Sequence, residues 1–169
     1  MGNPFGGRRI EIWLPLVIVV LDQLTKALVR ATLPLHESTT VIPGFFDFTH
    51  VRNTGAAFGM LNSVDFPGKT LLLSLIAAGA LIGIAMYSLA LATHQWAARL
   101  GLALVSGGAA GNLIDRLFMG SVVDFIDVYW QSWHFWTFNI ADSAITVGVA
   151  IMILDMLGLG ARPVRDHAA

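Results

Sequence analysis

Apolar residues along this chain fall into four long runs, separated by stretches where polar residues, prolines and glycines return. The first run starts just after a polar leader carrying Arg8 and Arg9 and continues through Asp22 and Lys26. The second, Thr70 to Ala98, is 29 residues without Asp, Glu, Lys or Arg, more than the roughly 20 a helical membrane crossing needs. The third is interrupted by Asn112, Asp115 and Arg116, and the fourth carries Asn139 and Asp142 one turn apart at its start and Asp155 near its far end. The pattern predicts a mainly α, polytopic membrane protein with transmembrane helices over 12–29, 70–92, 100–118 and 139–157. Residues 31–69 break the pattern with Pro34, Pro43 and Pro67, two β-leaning pieces (Thr39 to Ile42 and Phe45 to Val51) and the glycine-rich turn RNTGAAFGM. They predict a small extracytoplasmic β-cradle. An extracytoplasmic connection, 120–137, holds Tyr129, Trp130, Trp133 and Trp136, residues suited to the headgroup level.

Composition agrees with this division. Hydrophobic residues make up 56 % of the 169-residue chain and charged residues only 12 %, where a soluble domain carries roughly a quarter charged. Mean hydropathy is +0.70. The length suits one domain, 1–169. A net charge of −1 gives no reason to expect a nucleic-acid partner, and the absence of cysteine removes thiol nucleophiles, disulfides and cysteine metal sites. The charged start followed by an apolar run resembles a secretory signal, but the run continues through Asp22 and Lys26 without a small-x-small cleavage site, so it reads as a first crossing. An even number of crossings places both termini on one side, and Arg8, Arg9, Arg99, Arg162 and Arg165 make that side the cytoplasm; Arg52 and Lys69 fall on the other.

Polar residues inside apolar runs are costly and mark structure or chemistry. Asp22 and Lys26, at i,i+4, share a helix face. They read equally as an ion pair fixing helix packing and as a support reaching a site. Gly107, Gly108 and Gly111 allow another helix or a peptide to approach closely, and Gly79 and Gly83 offer a small-x-x-x-small helix contact. Asn112, Asp115 and Arg116 gather on adjoining faces near the outer end of the third crossing as a hydrogen-bond network, with Arg116 able to pair with a carboxylate such as Asp115 or to donate to a peptide or lipid carbonyl. Asn53 reads as a turn residue or as an amide that binds a backbone or substrate group. His94 reads as interfacial, Asp155 as a cytoplasmic interface residue and Ser143 as a helix hydroxyl.

The third helix runs outward and the fourth inward, so Asp124 and Asp142 reach the same membrane surface. Two close carboxylates favour a shared proton. One then activates water while its protonated partner donates to a peptide carbonyl, with no acyl-enzyme. The chain has no HExxH and no Walker-type loop, and its five histidines form no metal series. The residue pattern alone leaves open a membrane aspartyl hydrolase, a proton or solute transporter and a structural membrane subunit.

Five motifs, in this order, resemble the bacterial lipoprotein signal peptidases, the type II signal peptidase family. They are DQLTK at Asp22 to Lys26, RNTGAAF at Arg52 to Phe58, GGAAGNLIDR at Gly107 to Arg116, VVDFI at Val122 to Ile126 and FNIADSAI at Phe138 to Ile145. The resemblance spans nearly the full length. It implies a four-helix inner-membrane aspartyl endopeptidase with both termini cytoplasmic and a site near the extracytoplasmic surface. Its substrates would be diacylglyceryl-modified prolipoproteins, cut before the lipid-bearing cysteine. On the matched motifs Asp124 and Asp142 are the catalytic dyad. Asn53, Asn112, Arg116 and Asn139 are pocket or support residues, and Asp22, Lys26, Asp115 and Gly108 are further support positions. The expected partners are the lipid-modified precursor and membrane phospholipid, with no cofactor, no metal, no nucleic acid and activity as a monomer.

Overall fold

The computed structural model describes residues 9–56, 60–62 and 64–159. Arg8, Arg162, Arg165 and His167, and the Ala57 and Phe58 of the RNTGAAF motif, lie outside the described residues. The elements run α1 (Ile10–Thr32), β1 (Ser38–Ile42), β2 (Phe46–Asn53), α2 (Lys69–Ala90), α3 (Trp96–Met119), β3 (Val122–Trp130), β4 (Trp133–His134) and α4 (Ile140–Met156).

Local chemistry sets the helix ends. α1 stops where Leu33 turns extended before Pro34, because a residue preceding proline is pushed out of the helical region. α3 ends at Gly120, in the left-handed conformation at φ 73°. α4 starts at a capping box in which the Asn139 side chain accepts from the Asp142 N–H and the Asp142 carboxylate accepts from the Asn139 N–H. α1, α2 and α3 are long and apolar enough to cross a membrane. α4, with 17 residues, is at the short end of the spanning range.

α3 is the hub of the bundle, packing against α1, α2 and α4. Glycines bring these helices together. A Cβ on Gly101 would lie 2.7 Å from the Gly148 carbonyl of α4, one on Gly107 would meet Ile18 and Pro15 of α1, and one on Gly108 would collide with the Ala141 carbonyl. Among the described residues the expected contact through Gly79 and Gly83 is not made, since a Cβ at either would meet nothing within 4 Å. α2 instead turns Leu71, Leu75, Ile76, Ile82, Met86 and Leu89 outward, the face an apolar solvent would contact. α3 also starts earlier than residue 100, so Arg99 belongs to its first turn, where its guanidinium is bound by Glu11 of α1, with Nη2 2.9 Å from Oε2.

The strands from the two loop regions form one antiparallel sheet in the order β1-β2-β3-β4, so the connection at 120–137 completes the cradle. Val123 and Phe125 of β3 pack with Val29 of α1, joining sheet to bundle. The register of β2 on β3 shifts between Phe48 and Val51, from Phe48 opposite Ile126 to Val51 opposite Asp124. This bulge buries Thr49 and His50, and His50 Nδ1 lies 2.8 Å from the Leu33 carbonyl. Because side chains alternate along a strand, the extra residue decides which face Asn53 occupies. With it, Asn53 stands two residues beyond the partner of Asp124, on the same face.

Candidate active site

The site is built in two layers at the end of the bundle where the sheet sits. The lower layer is ionic. Lys26 is 0 % exposed, and its ammonium reaches Asp22 Oδ2 at 2.8 Å, Asp115 Oδ2 at 2.9 Å and Asn112 Oδ1 at 2.9 Å. An ammonium has three N–H donors, and all are used. The two acids are satisfied further: Asp22 Oδ1 accepts from the Ala141 N–H at 3.0 Å, and Asp115 Oδ2 from the Val123 N–H at 3.2 Å. Gln23 donates from Nε2 to Asp115 Oδ1 and to the Gly111 carbonyl, each at 3.1 Å. Gly111 is required here, since a Cβ would stand 2.6 Å from Asp22 Oδ2. One buried cluster thus ties α1, α3, the start of α4 and the start of β3 to a common point.

The upper layer is carried on amides. Asn112 donates from Nδ2 to Asp142 Oδ1 at 2.8 Å, passing the position of the lower cluster to α4. Asn139, 0 % exposed, joins the two focal acids, because Nδ2 donates to Asp124 Oδ1 at 2.8 Å while its backbone N–H donates to Asp142 Oδ2 at 3.3 Å. Asn53 donates from Nδ2 to Asp124 Oδ2 at 3.0 Å and accepts from the Gly55 N–H at 2.9 Å, closing the turn after β2. Arg116 donates to the Gly55 carbonyl at 2.9 Å. Of the two expected partners of Arg116, a carboxylate such as Asp115 or a carbonyl, the structure shows a backbone carbonyl, while Asp115 pairs with Lys26.

Asp124 is 3 % exposed. Its burial, and next the charge of Asp142, push its carboxyl up to about 7, while the Asn53 and Asn139 amides act in the opposite direction. Near neutral pH such a group is half protonated. Chemically, the site sets a buried carboxyl raised into the neutral range beside a second, half-buried one, with amide donors fixing both.

The polar residues expected at the site come together here, Asp22, Lys26, Asn53, Asn112, Asp115, Arg116, Asp124, Asn139 and Asp142, while Gly108 lies at the α3–α4 contact against Ala141 and Ile145. Both readings of Asp22 and Lys26 hold together, as an ion pair packs the helices and reaches the upper layer through Asn112. Sequence reasoning missed Gln23, whose only signal was its place inside DQLTK, and the Glu11 and Arg99 pair, 88 residues apart. It also missed Lys69, a lone cation at the edge of an uncharged run.

A multi-pass bundle with paired aspartates at one end is the architecture of a membrane-embedded aspartic endopeptidase. The comparisons identify which one. Residues 14–158 match the family described as "Signal peptidase (SPase) II". The chain is 44 % identical over 151 residues to the lipoprotein signal peptidase of Geobacter metallireducens, covering 89 % of this chain and 92 % of that one. It is 47 % identical over 139 residues to that of Geobacter sulfurreducens, covering 82 % and 86 %. A bacterial membrane enzyme solved by the in meso method at 2.3 Å resolution shares the fold with a TM-score of 0.79 and 34 % identity, over 92 % of this chain and 94 % of that one. A second, at 1.9 Å, has a TM-score of 0.76 and 33 % identity, over 87 % and 92 %. The chain belongs to the signal peptidase II family of lipoprotein signal peptidases, aspartic endopeptidases of the bacterial inner membrane.

Proposed function

We propose that this chain removes the signal peptide from diacylglyceryl-modified prolipoproteins by cutting before the lipid-bearing cysteine, with Asp124 and Asp142 as the catalytic dyad. The observation that carries the assignment is the bridge through Asn139, one residue whose side chain binds Asp124 and whose backbone binds Asp142. The pair shares one proton at neutral pH. A water between them loses a proton to the ionised carboxylate as its oxygen attacks the scissile carbonyl carbon, and the protonated carboxyl donates to the developing oxyanion. Collapse of the tetrahedral intermediate breaks the C–N bond, and the proton taken from water passes to the leaving cysteine amine. Asn53, Asn112 and Asn139 hold the carboxylates in place, and Arg116 lies beside them as a donor to substrate carbonyls. Asp22, Lys26, Asp115 and Gly108 set the helix positions beneath. No cofactor or metal enters these steps.

The orientation that suits this reaction has both termini in the cytoplasm and the dyad near the extracytoplasmic surface. Arg9 before α1 and Arg99 at the start of α3 support it, since both stand at the end of the bundle opposite the sheet. The signal peptide enters as an apolar helix, the acyl chains stay in lipid, and the chain acts as a monomer. The test is cleavage of a purified lipid-modified precursor by detergent-solubilised protein. Asp124→Asn and Asp142→Asn should each fold and lose at least about 100-fold in turnover. Near-normal turnover by either folded variant would sink the assignment.

A further inference from the structure

Lys69, the first residue of α2, is 5 % exposed. Its ammonium donates to Thr54 Oγ1 at 3.0 Å, to the Leu61 carbonyl at 3.1 Å and to the Val64 carbonyl at 2.8 Å. All three of its donors are therefore used on one segment, and among the described residues no carboxylate stands within ion-pairing distance. A buried cation with only neutral acceptors is an expensive way to close a loop. A single carbonyl-capping side chain would do the same at lower cost, so the placement of the charge asks for a reason.

Thr54 supplies it. Its hydroxyl accepts from Lys69 and donates to Asn62 Oδ1 at 3.0 Å, and its backbone N–H donates to the same oxygen at 3.0 Å. Thr54 is thus held by three hydrogen bonds from two side chains, Lys69 and Asn62. The residue immediately before it is Asn53, whose amide donates to Asp124 Oδ2, and the one after it is Gly55, whose N–H holds the Asn53 side-chain oxygen. We propose that Lys69 is a positioning residue for the peptidase reaction: by clamping the Thr54 hydroxyl it fixes the turn from which the Asn53 amide is aimed at Asp124. The proposal rests on the reading of Asp124 as a member of the dyad.

A purely structural lysine would lower the amount of folded enzyme without changing what each folded molecule does. Positioning predicts an effect on the chemical step, transmitted through Asn53. The experiment measures kcat and KM on the diacylglyceryl-modified precursor in detergent, with Tm for each protein, for Lys69→Met, Thr54→Val, Thr54→Ser, Asn53→Ala and the double variant Lys69→Met/Asn53→Ala. Lys69→Met and Thr54→Val should each lower kcat about tenfold with KM changed less than about twofold, and Thr54→Ser, which restores the hydroxyl, should recover most of the loss. In the Asn53→Ala background, Lys69→Met should cost less than about a further twofold, because the amide it aims is gone. Wild-type kcat in Lys69→Met, or the same fold loss with and without Asn53, would overturn the proposal. Should Lys69→Met fail to fold, Thr54→Val against Thr54→Ser decides it alone, with equal kcat in the two overturning it. Asp124→Asn is measured alongside; retained turnover there would overturn the dyad reading instead.

Discussion

Replacing Lys26 by methionine keeps a side chain of similar length and removes one charge from the lowest layer of the site. Three acceptors lose the ammonium at once and keep only neutral donors: Asp22 Oδ2 the Gln23 amide at 3.2 Å, Asp115 Oδ2 the Val123 N–H at 3.2 Å and Asn112 Oδ1 the Asn139 amide at 3.3 Å. Two carboxylates that are 0 % and 1 % exposed then face each other with no cation between them. Removing one member of a buried ion pair costs about 3–5 kcal/mol, because the charge left behind has neither water nor counter-ion. For a chain of this size, 1 kcal/mol moves Tm by about 2–4 °C, so the expected fall is roughly 6–20 °C. The same loss leaves the Asn112 oxygen with the Asn139 amide alone and loosens the residue whose own amide holds Asp142, so turnover per folded molecule should fall at least about tenfold. The triple variant Asp22→Asn/Lys26→Met/Asp115→Asn leaves no unpaired charge and should recover much of the stability, since neutral replacements of buried ionic clusters are often tolerated. Thermal unfolding in detergent and cleavage of the lipidated precursor measure both quantities. A Lys26→Met protein with Tm within about 2 °C of wild type would refute the cluster as the point that holds the helices together.

Two further outcomes follow from the geometry. Asp124 has an unfolded value near 3.8 and a folded value near 7, so it takes up a proton on folding, and stability should fall as pH rises across that window and level off above it. The charged groups facing it are Asp142 of α4, Lys26 of α1 and Arg116 of α3; Asp124→Asn should lessen the slope, and kcat should show an alkaline limb near 7, whereas an unchanged slope in that variant would assign it to another group. For orientation, single cysteines at Thr54 and Ser132 should react with a membrane-impermeant thiol reagent from outside and one at His94 should not; the reverse pattern would invert the topology.

Membrane residence and helix number follow from the chain alone, because water and lipid sort side chains by simple polarity and length. The pairing of Asp22 with Lys26 was equally accessible, since i,i+4 spacing on a helix needs no other part of the molecule. Family motifs then marked which polar residues would gather. What they touch was decided by the tertiary structure. Lys26 meets Asp115 and not only Asp22 because α3 packs against α1 through glycines that admit no Cβ. Asn53 reaches Asp124, 71 residues away, because a bulge between Phe48 and Val51 sets its face. The helix pattern of Gly79 and Gly83 suggested a contact that none of the described residues makes, since α2 packs on α3 at the bundle's rim. A one-dimensional pattern records how a residue is placed on its own element; which element lies opposite, and in what register, is a property of long-range packing that no local spacing encodes.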